Sequence, residues 1–330
     1  MDHRGIRMSA VLNNSETEIA QALAPFDVGE LIEFQAASHG IENANYFIKA
    51  RKNDRSRNYV LTFIQQPSNA GHLYSPMMDA LYVQGLPVAP PLKRSGQSAN
   101  EQEPVLLQMR LPGSHIVNPT QRQIESLGRF TARMHTCMSE SGVALPAFPR
   151  TPIWLRDSIE PWLTSVSFTD RKILEETIDK VAALLQRRDV ISLPTGMIHG
   201  DLFRDNVLFN ERGLTGVLDF HHASSGYWLF DLAVIANDWC TDSQGRLDPD
   251  RTQALLKSYH QIRRLTEQEL WFFSGFALYA ALCFWVSRLT VNLAARLEQG
   301  VRTKNPEEFK RVVAQHIRHS LYLDPRILDI

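Results

Sequence analysis

The sequence predicts an α+β chain in two unequal parts, a small antiparallel sheet with one helix followed by a larger helical portion. Three observations carry this. Short runs rich in β-branched and aromatic residues, at 31–37, 46–50, 58–64 and 105–109, crowd the first third of the chain. From residue 118 onward, apolar residues recur at helical spacing. Between the two regimes stands Leu111-Pro112-Gly113, which neither a strand nor a helix accommodates.

The elements follow in order. A helix over 15–26 opens with Ser15 as N-cap and Glu18 completing a capping box, and Pro25 marks its end. The first three strands come next. A helix over 72–84 stops at Gly85, and Pro87, Pro90 and Pro91 demand an extended connection to the strand at 105–109. In the second part, Asn118-Pro119-Thr120-Gln121 supplies an N-cap candidate and a proline at the first helical position. Ile124, Leu127, Thr131 and Met134 then share one face. Further helices are expected over 170–187, 249–261, 267–299 and 305–321, with a conspicuous interruption over 196–246. A cleft between the two parts is the natural place for a small ligand.

Composition narrows the class of function. Of 330 residues, 44% are hydrophobic and 22% charged, which excludes disorder for the bulk of the chain. Acidic residues number 36 and basic residues 35, so no overall excess exists to hold nucleic acid or an anionic membrane. Cys137, Cys240 and Cys283 form neither a metal pattern nor a disulfide framework and suit a reducing cytoplasm. The apolar run at 8–12 is too short for a secretory signal. Residues 270–287, 18 without charge, reach the lower limit of a membrane span; Ser274, Gly275, Tyr279 and Ser287 dilute the run, and a buried core helix is expected.

The chemistry lies in the interruption. Met197-Ile198-His199-Gly200-Asp201-Leu202-Phe203-Arg204-Asp205-Asn206-Val207-Leu208-Phe209 is a polar loop leading into a strand. Asn210-Glu211-Arg212-Gly213 then turns the chain into Leu214-Thr215-Gly216-Val217-Leu218-Asp219. Such a fold-back brings Asp201, Asn206 and Asp219 together. Two carboxylates and an amide oxygen are poor ligands for zinc but suit Mg²⁺, which takes hard oxygens and leaves room for phosphate. One carboxylate can stay off the metal to orient a hydroxyl. These are the parts that phosphoryl transfer needs.

On this ordered set the chain resembles the aminoglycoside-phosphotransferase and choline-kinase group, the small-molecule branch of the protein-kinase-like fold. The resemblance implies a bilobal molecule: an N-terminal extension over 1–13, a nucleotide-binding lobe over 14–110 and a catalytic helical lobe over 111–330. It implies ATP and Mg²⁺, with Asp201 as catalytic base, Asn206 and Asp219 as metal ligands, His199 as a buried organiser of the loop, and Asp231 as its brace. ATP would meet Gly40, Asn43, Asn45, Thr62, Gln108 and Met109. The stretches 38–47, 201–206, 230–240 and 284–289 are similar to those of the bacterial homoserine-kinase group of this fold, nearly the whole chain being covered. That likeness implies transfer of phosphate from ATP to the γ-hydroxyl of L-homoserine, a step toward threonine. The chain departs from the wider pattern at Thr62, where a Lys or Arg would meet the nucleotide phosphates. Lys49 is a possible substitute or a solvated surface residue. Phe220-His221-His222-Ala223 also differs from the aromatic-led stretch expected after the metal Asp.

An acceptor bearing ammonium, carboxylate and hydroxyl asks for an acid, a cationic fork and a base. Arg288, ending an apolar run, is a candidate for the carboxylate, or else a helix-surface Arg that snorkels. Asp238 is the choice for the ammonium, against capping or pairing within the lobe. Arg204 could take the carboxylate or the γ-phosphate, or brace the loop. Trp239 and Trp285 suit the core better than a ligand wall. Residues 246–330 carry 13 Lys or Arg against nine Asp or Glu, which speaks against a polycationic aminoglycoside. Choline or another small hydroxyamine remains an alternative acceptor, and a nucleotide-binding pseudokinase is the alternative of a different class. Oligomeric state is not legible.

Overall fold

The computed structural model describes residues 14–37, 43–64, 71–95, 105–139, 141–296, 303–319, 321 and 323–328. Gly40 with the turn around it, residues 1–13, and the end of the helix expected to reach 299 lie outside the described residues.

Helix α1 (Glu16–Leu23) begins with the expected capping box between Ser15 and Glu18. Strands β1 (Glu30–Ala36), β2 (Ala44–Lys52), β3 (Arg55–Phe63) and β4 (Val105–Met109) form one antiparallel sheet in sequential order. Alternation decides its two faces. Tyr46, Ile48, Ala50, Tyr59, Leu61, Val105 and Leu107 bury one face against Ile19 and Leu23 of α1 and against Phe26 and Val28. Asn45, Lys49, Thr62 and Gln108, at the alternate positions, fall on the other face. Helix α2 (Gly71–Val83) precedes β4, and its Met77, Met78 and Leu81 join the larger core of the helical part rather than the small core of the sheet.

Helix α3 (Gln121–Ser139) starts two residues later than the proline pattern implies. Thr120 and Gln123 cap it reciprocally: the Thr120 amide donates to Gln123 Oε1 at 2.8 Å, and the Gln123 amide donates to Thr120 Oγ1 at 3.4 Å. Helices α4 (Pro152–Ile159), α5 (Phe168–Leu185) and α6 (Arg188–Ile191) follow. The interruption then resolves into β5 (Thr195–Ile198), β6 (Val207–Asn210), β7 (Gly213–Val217), β8 (Ser224–Tyr227) and helix α7 (Trp228–Trp239). β5 pairs with β8 and β6 with β7. Helix α7 has no amphipathic stripe because nearly every residue of it is buried, so periodicity alone does not reveal it.

Helices α8 (Pro249–His260), α9 (Glu267–Ala295) and α10 (Pro306–Arg318) complete the fold. Among the described residues α9 alone is long and apolar enough to cross a membrane, and 72% of its apolar window is buried in the protein. It packs on α4, α5, α7 and α10. Asn237 of α7 ties this centre together: its side-chain amide donates to the Ala277 carbonyl at 2.8 Å and its oxygen accepts from His316 of α10 at 2.8 Å. Cys137 is half-buried, and Cys240 and Cys283 are buried.

Gly128 sets how closely α3 and α8 approach. A Cβ there would stand 2.2 Å from Ser258 Oγ and 2.8 Å from the Leu255 carbonyl oxygen. Gly128→Ala is expected to cost about 1–3 kcal/mol despite the better helix propensity of alanine, read as a lower melting temperature.

Candidate active site

The loop after β5 is folded around one buried carboxylate. Asp231, fully buried in the first turns of α7, accepts the Gly200 amide on Oδ1 at 2.8 Å, and on Oδ2 the His199 amide at 2.8 Å and the His135 ring at 3.0 Å. His199 is itself buried, and its Nδ1 accepts the Asp201 amide at 3.2 Å. That leaves Nε2 to donate to the Leu218 carbonyl at 2.9 Å, which fixes the tautomer and binds the loop to the residue before Asp219. Burial pushes the His199 pKa down, consistent with a neutral ring. Gly200 has φ +77°, a turn that a side chain would strain, and a Cβ there would lie 3.3 Å from the His222 carbonyl oxygen.

This fold-back aims three oxygen-bearing side chains. The Asn206 amide nitrogen donates to both the backbone oxygen and Oδ2 of Asp201, at 2.8 and 2.9 Å, so its own oxygen points away and is free to bind. Val207 pairs with Val217 across the β6–β7 hairpin, and the Leu218 amide donates to the Asn206 carbonyl at 2.8 Å. Leu218 therefore stands opposite Asn206, and Asp219 is the residue that follows it. Asp219 takes a left-handed conformation, φ 59° and ψ 61°, uncommon outside glycine and asparagine, and its side chain makes no capping hydrogen bond to the turn that follows. A hard-oxygen set of one carboxylate and one amide oxygen fits Mg²⁺. Among the described residues no cluster of three or more His, Cys, Asp or Glu exists to favour a softer metal. The Asp201 carboxyl is pushed up to about 7, first by burial and further by the Asp219 charge, while His222, Arg150 and Lys304 oppose the rise.

A sequence profile of the phosphotransferase enzyme family matches residues 33–265, well over half of the chain. The chain belongs to that family. This phosphotransferase is 34% identical over 320 residues to a homoserine kinase of Cupriavidus necator, covering 94% of this chain and 96% of the relative. It is 33% identical over 305 residues to a homoserine kinase of Pseudomonas aeruginosa, covering 91% and 94%. Among solved structures it is similar in fold to an amicoumacin kinase bound to AMP-PNP and Ca²⁺, with TM-score 0.66 and 15% identity over 92% of this chain and 93% of the other. A choline kinase of Streptococcus pneumoniae gives TM-score 0.64 and 14% identity over 92% and 99%.

The sheet of the phosphotransferase bears no cation at the Thr62 position. The Thr62 hydroxyl, nearly buried, donates to Asn45 Oδ1 at 2.6 Å across the β2–β3 register. Lys49 lies on the same face and is exposed. Asn43 is half-buried just before β2. The Gln108 side chain donates to the Ala89 carbonyl, and Met109 at the end of β4 is 38% exposed.

Arg204 and Asp238 hold each other. Asp238 Oδ2 accepts the Arg204 amide at 2.8 Å and Nε at 3.1 Å, while Oδ1 accepts Nη2 at 3.1 Å. Nη1 of Arg204 donates to the Val117 carbonyl at 2.6 Å. With both oxygens engaged, Asp238 is not an open acid for an ammonium, which corrects the expectation for it. Arg204 takes the bracing alternative, with Trp239 adding a hydrogen bond from its indole to the Leu202 carbonyl at 3.0 Å. Arg288 donates to Glu308 at 2.6 Å and stacks over Phe203 and Phe309, so its fork has a partner in α10 and the expected carboxylate role does not follow from its surroundings. Trp239 and Trp285 are core residues.

Three residues escape sequence reasoning. His135 of α3 reaches Asp231 while its Nδ1 meets the Tyr259 hydroxyl at 2.8 Å, which extends the buried network to α8. Tyr74 of α2 stacks on His221 with ring centroids 4.8 Å apart, joining α2 to the segment after Asp219. Arg150 sits in a connection punctuated by Pro149 and Pro152, where no periodicity draws the eye.

Asp231→Asn would turn an amide NH₂ toward N–H donors and remove the charge that three of them share. We expect a loss of about 2–4 kcal/mol in unfolding free energy together with near-complete loss of turnover. A second expectation concerns Asp201. Its folded pKa lies above its unfolded value, so the folded state binds the proton more tightly. In metal-free buffer the wild type loses stability as pH rises from about 4 to about 7, by of order 1–2 kcal/mol given partial solvent contact at the cleft. Asp201→Asn lacks that slope, which urea unfolding at pH 5 and pH 8 resolves.

Proposed function

We propose that the chain is an ATP-dependent small-molecule kinase that phosphorylates the γ-hydroxyl of L-homoserine, giving O-phospho-L-homoserine and ADP, a reaction leading toward threonine. The observation that carries the chemistry is the convergence of Asp201, the free oxygen of Asn206 and the carboxylate of Asp219 at one end of the β6–β7 hairpin. Nearly full-length likeness to homoserine kinases supports the acceptor.

ATP is assigned to the cleft beside the sheet face that carries Asn45, Thr62 and Gln108, with the adenine near Met109. Asn206 and Asp219 would hold Mg²⁺, which supplies neutralisation of phosphate charge. Asp201 faces the acceptor hydroxyl. Its carboxylate accepts the hydroxyl proton as the oxygen bonds to the γ-phosphorus and the bond to the ADP oxygen breaks. A carboxyl group titrating near neutrality is suited to that task. Asn206 keeps it in place through the Oδ2 hydrogen bond, so alignment is set before the acceptor arrives. The Thr62–Asn45 pair leaves the sheet without a phosphate-binding cation at that position, the one feature that favours a pseudokinase. The hard-oxygen set of Asp219 and Asn206 opposes it. A cytoplasmic setting fits three widely spaced cysteines with no disulfide pattern.

A coupled ADP-release assay tests the reading. L-homoserine is expected to drive turnover at least about 100-fold more efficiently than choline or kanamycin. Asp201→Asn should lower kcat by about 10³-fold or more with nucleotide binding retained. Turnover with choline alone would replace the acceptor, and no ADP release with any alcohol would favour the pseudokinase.

A further inference from the structure

Arg150 is a cation with no hydrogen-bonded or ion-paired partner among the described residues. It is 9% exposed, its Nη1 is enclosed by protein with no hydrogen-bond partner, and among the described residues no carboxylate, carbonyl or hydroxyl accepts from its guanidinium. The other well-covered arginines of this region are matched: Arg204 with Asp238, Arg263 with Glu269, Arg288 with Glu308. An unpaired buried charge is costly and seldom persists without a function that uses it.

The surroundings hold this side chain in place while leaving its fork unused. The Arg150 carbonyl accepts the Tyr279 hydroxyl of α9 at 2.6 Å. Its guanidinium lies 4.6 Å over the Phe284 ring, and Phe284 meets Phe203 edge-on at 4.5 Å. The amide of Phe203 donates to the Asp201 carbonyl at 2.8 Å, so Arg150 is one aromatic contact removed from the loop after β5. Stacking fixes the plane of a guanidinium, and a fixed plane with free donors is the geometry that receives a carboxylate through two parallel hydrogen bonds.

We infer that Arg150 is the specificity-determining residue that binds the α-carboxylate of the acceptor while its hydroxyl lies at Asp201. The inference rests on the reading of the acceptor as a hydroxy amino acid. It takes the role that Arg288, already paired with Glu308, does not offer. The carboxylate is favoured over a nucleotide phosphate because Arg150 lies in the connection just before α4 and is held from α9 by Tyr279 and Phe284, on the helical side of the loop after β5.

The test uses the full chain and the ADP-release assay with two acceptors, L-homoserine and 3-aminopropan-1-ol, which is homoserine without its carboxylate. Wild type is expected to prefer homoserine by about 100-fold or more in kcat/KM. In Arg150→Gln and in Arg150→Met, which keeps apolar contact with Phe284, that preference should fall below about tenfold, through a rise in KM for homoserine with KM for ATP within about twofold. Arg150→Lys, which keeps charge but loses the fork, should fall between. Any of three results overturns the inference: a wild-type preference under about threefold, which needs no folded variant; a folded variant whose KM for homoserine is within about threefold of wild type; or a rise in KM for ATP instead. If wild type does not use homoserine, the acceptor reading fails separately. The role of Arg150 then stands only if the alcohol that does react carries a carboxylate whose removal abolishes the preference, and it falls if that alcohol has none.

Discussion

Three N–H groups converge on the two oxygens of Asp231, and the shape of the loop after β5 follows from that convergence. Two of the donors are consecutive backbone amides, those of His199 and Gly200, so the chain has to turn sharply around the carboxylate. The third comes from His135 on α3. Because the site is fully buried, each donor and the acid would be costly to leave alone, and the network is stable only when complete. His199 passes the constraint on, receiving the Asp201 amide on one ring nitrogen and reaching Leu218 with the other. One buried acid on α7 therefore positions Asp201 and steadies the backbone that leads into Asp219.

Helix α7 does this from several successive places. Asp231 holds the start of the loop, Asp238 takes Arg204 in its middle, and Trp239 donates to Leu202. Asn237 secures the same helix to α9 and α10. The loop is thus fastened to a helix that is itself enclosed, and its polar residues are held by contacts whose desolvation is already compensated. Arg204 and Asp238 illustrate the result. Charges that look available for a ligand when read along the chain are engaged with one another in the fold.

Much of the fold was legible because its elements are amphipathic or bounded by strong signals. The capping box at Ser15 and Glu18, the β-branched run before Phe63 and the Gly85 stop each leave a local mark. Helix α7 left none in its periodicity, being buried on all sides. The convergence of Asp201, Asn206 and Asp219 was readable because a short hairpin joins them, so local pairing suffices to bring them together. Partners supplied from far along the chain were not: His135 and Asp231 are separated by 96 positions and Arg288 and Glu308 by 20, and no rule of local spacing pairs them. Arg150 was hidden for a related reason. Its significance lies in a guanidinium nitrogen left without a hydrogen-bond partner among the described residues, a property that only the folded surroundings reveal.

Asp219 stands where backbone preference and chemistry disagree. A left-handed conformation suits glycine or asparagine better than aspartate, by about 1 kcal/mol. Evolution toward greater robustness alone would drift away from an acid at this position. A thermostabilising library screened only for heat resistance would favour glycine or asparagine here and discard the carboxylate proposed to hold the cation.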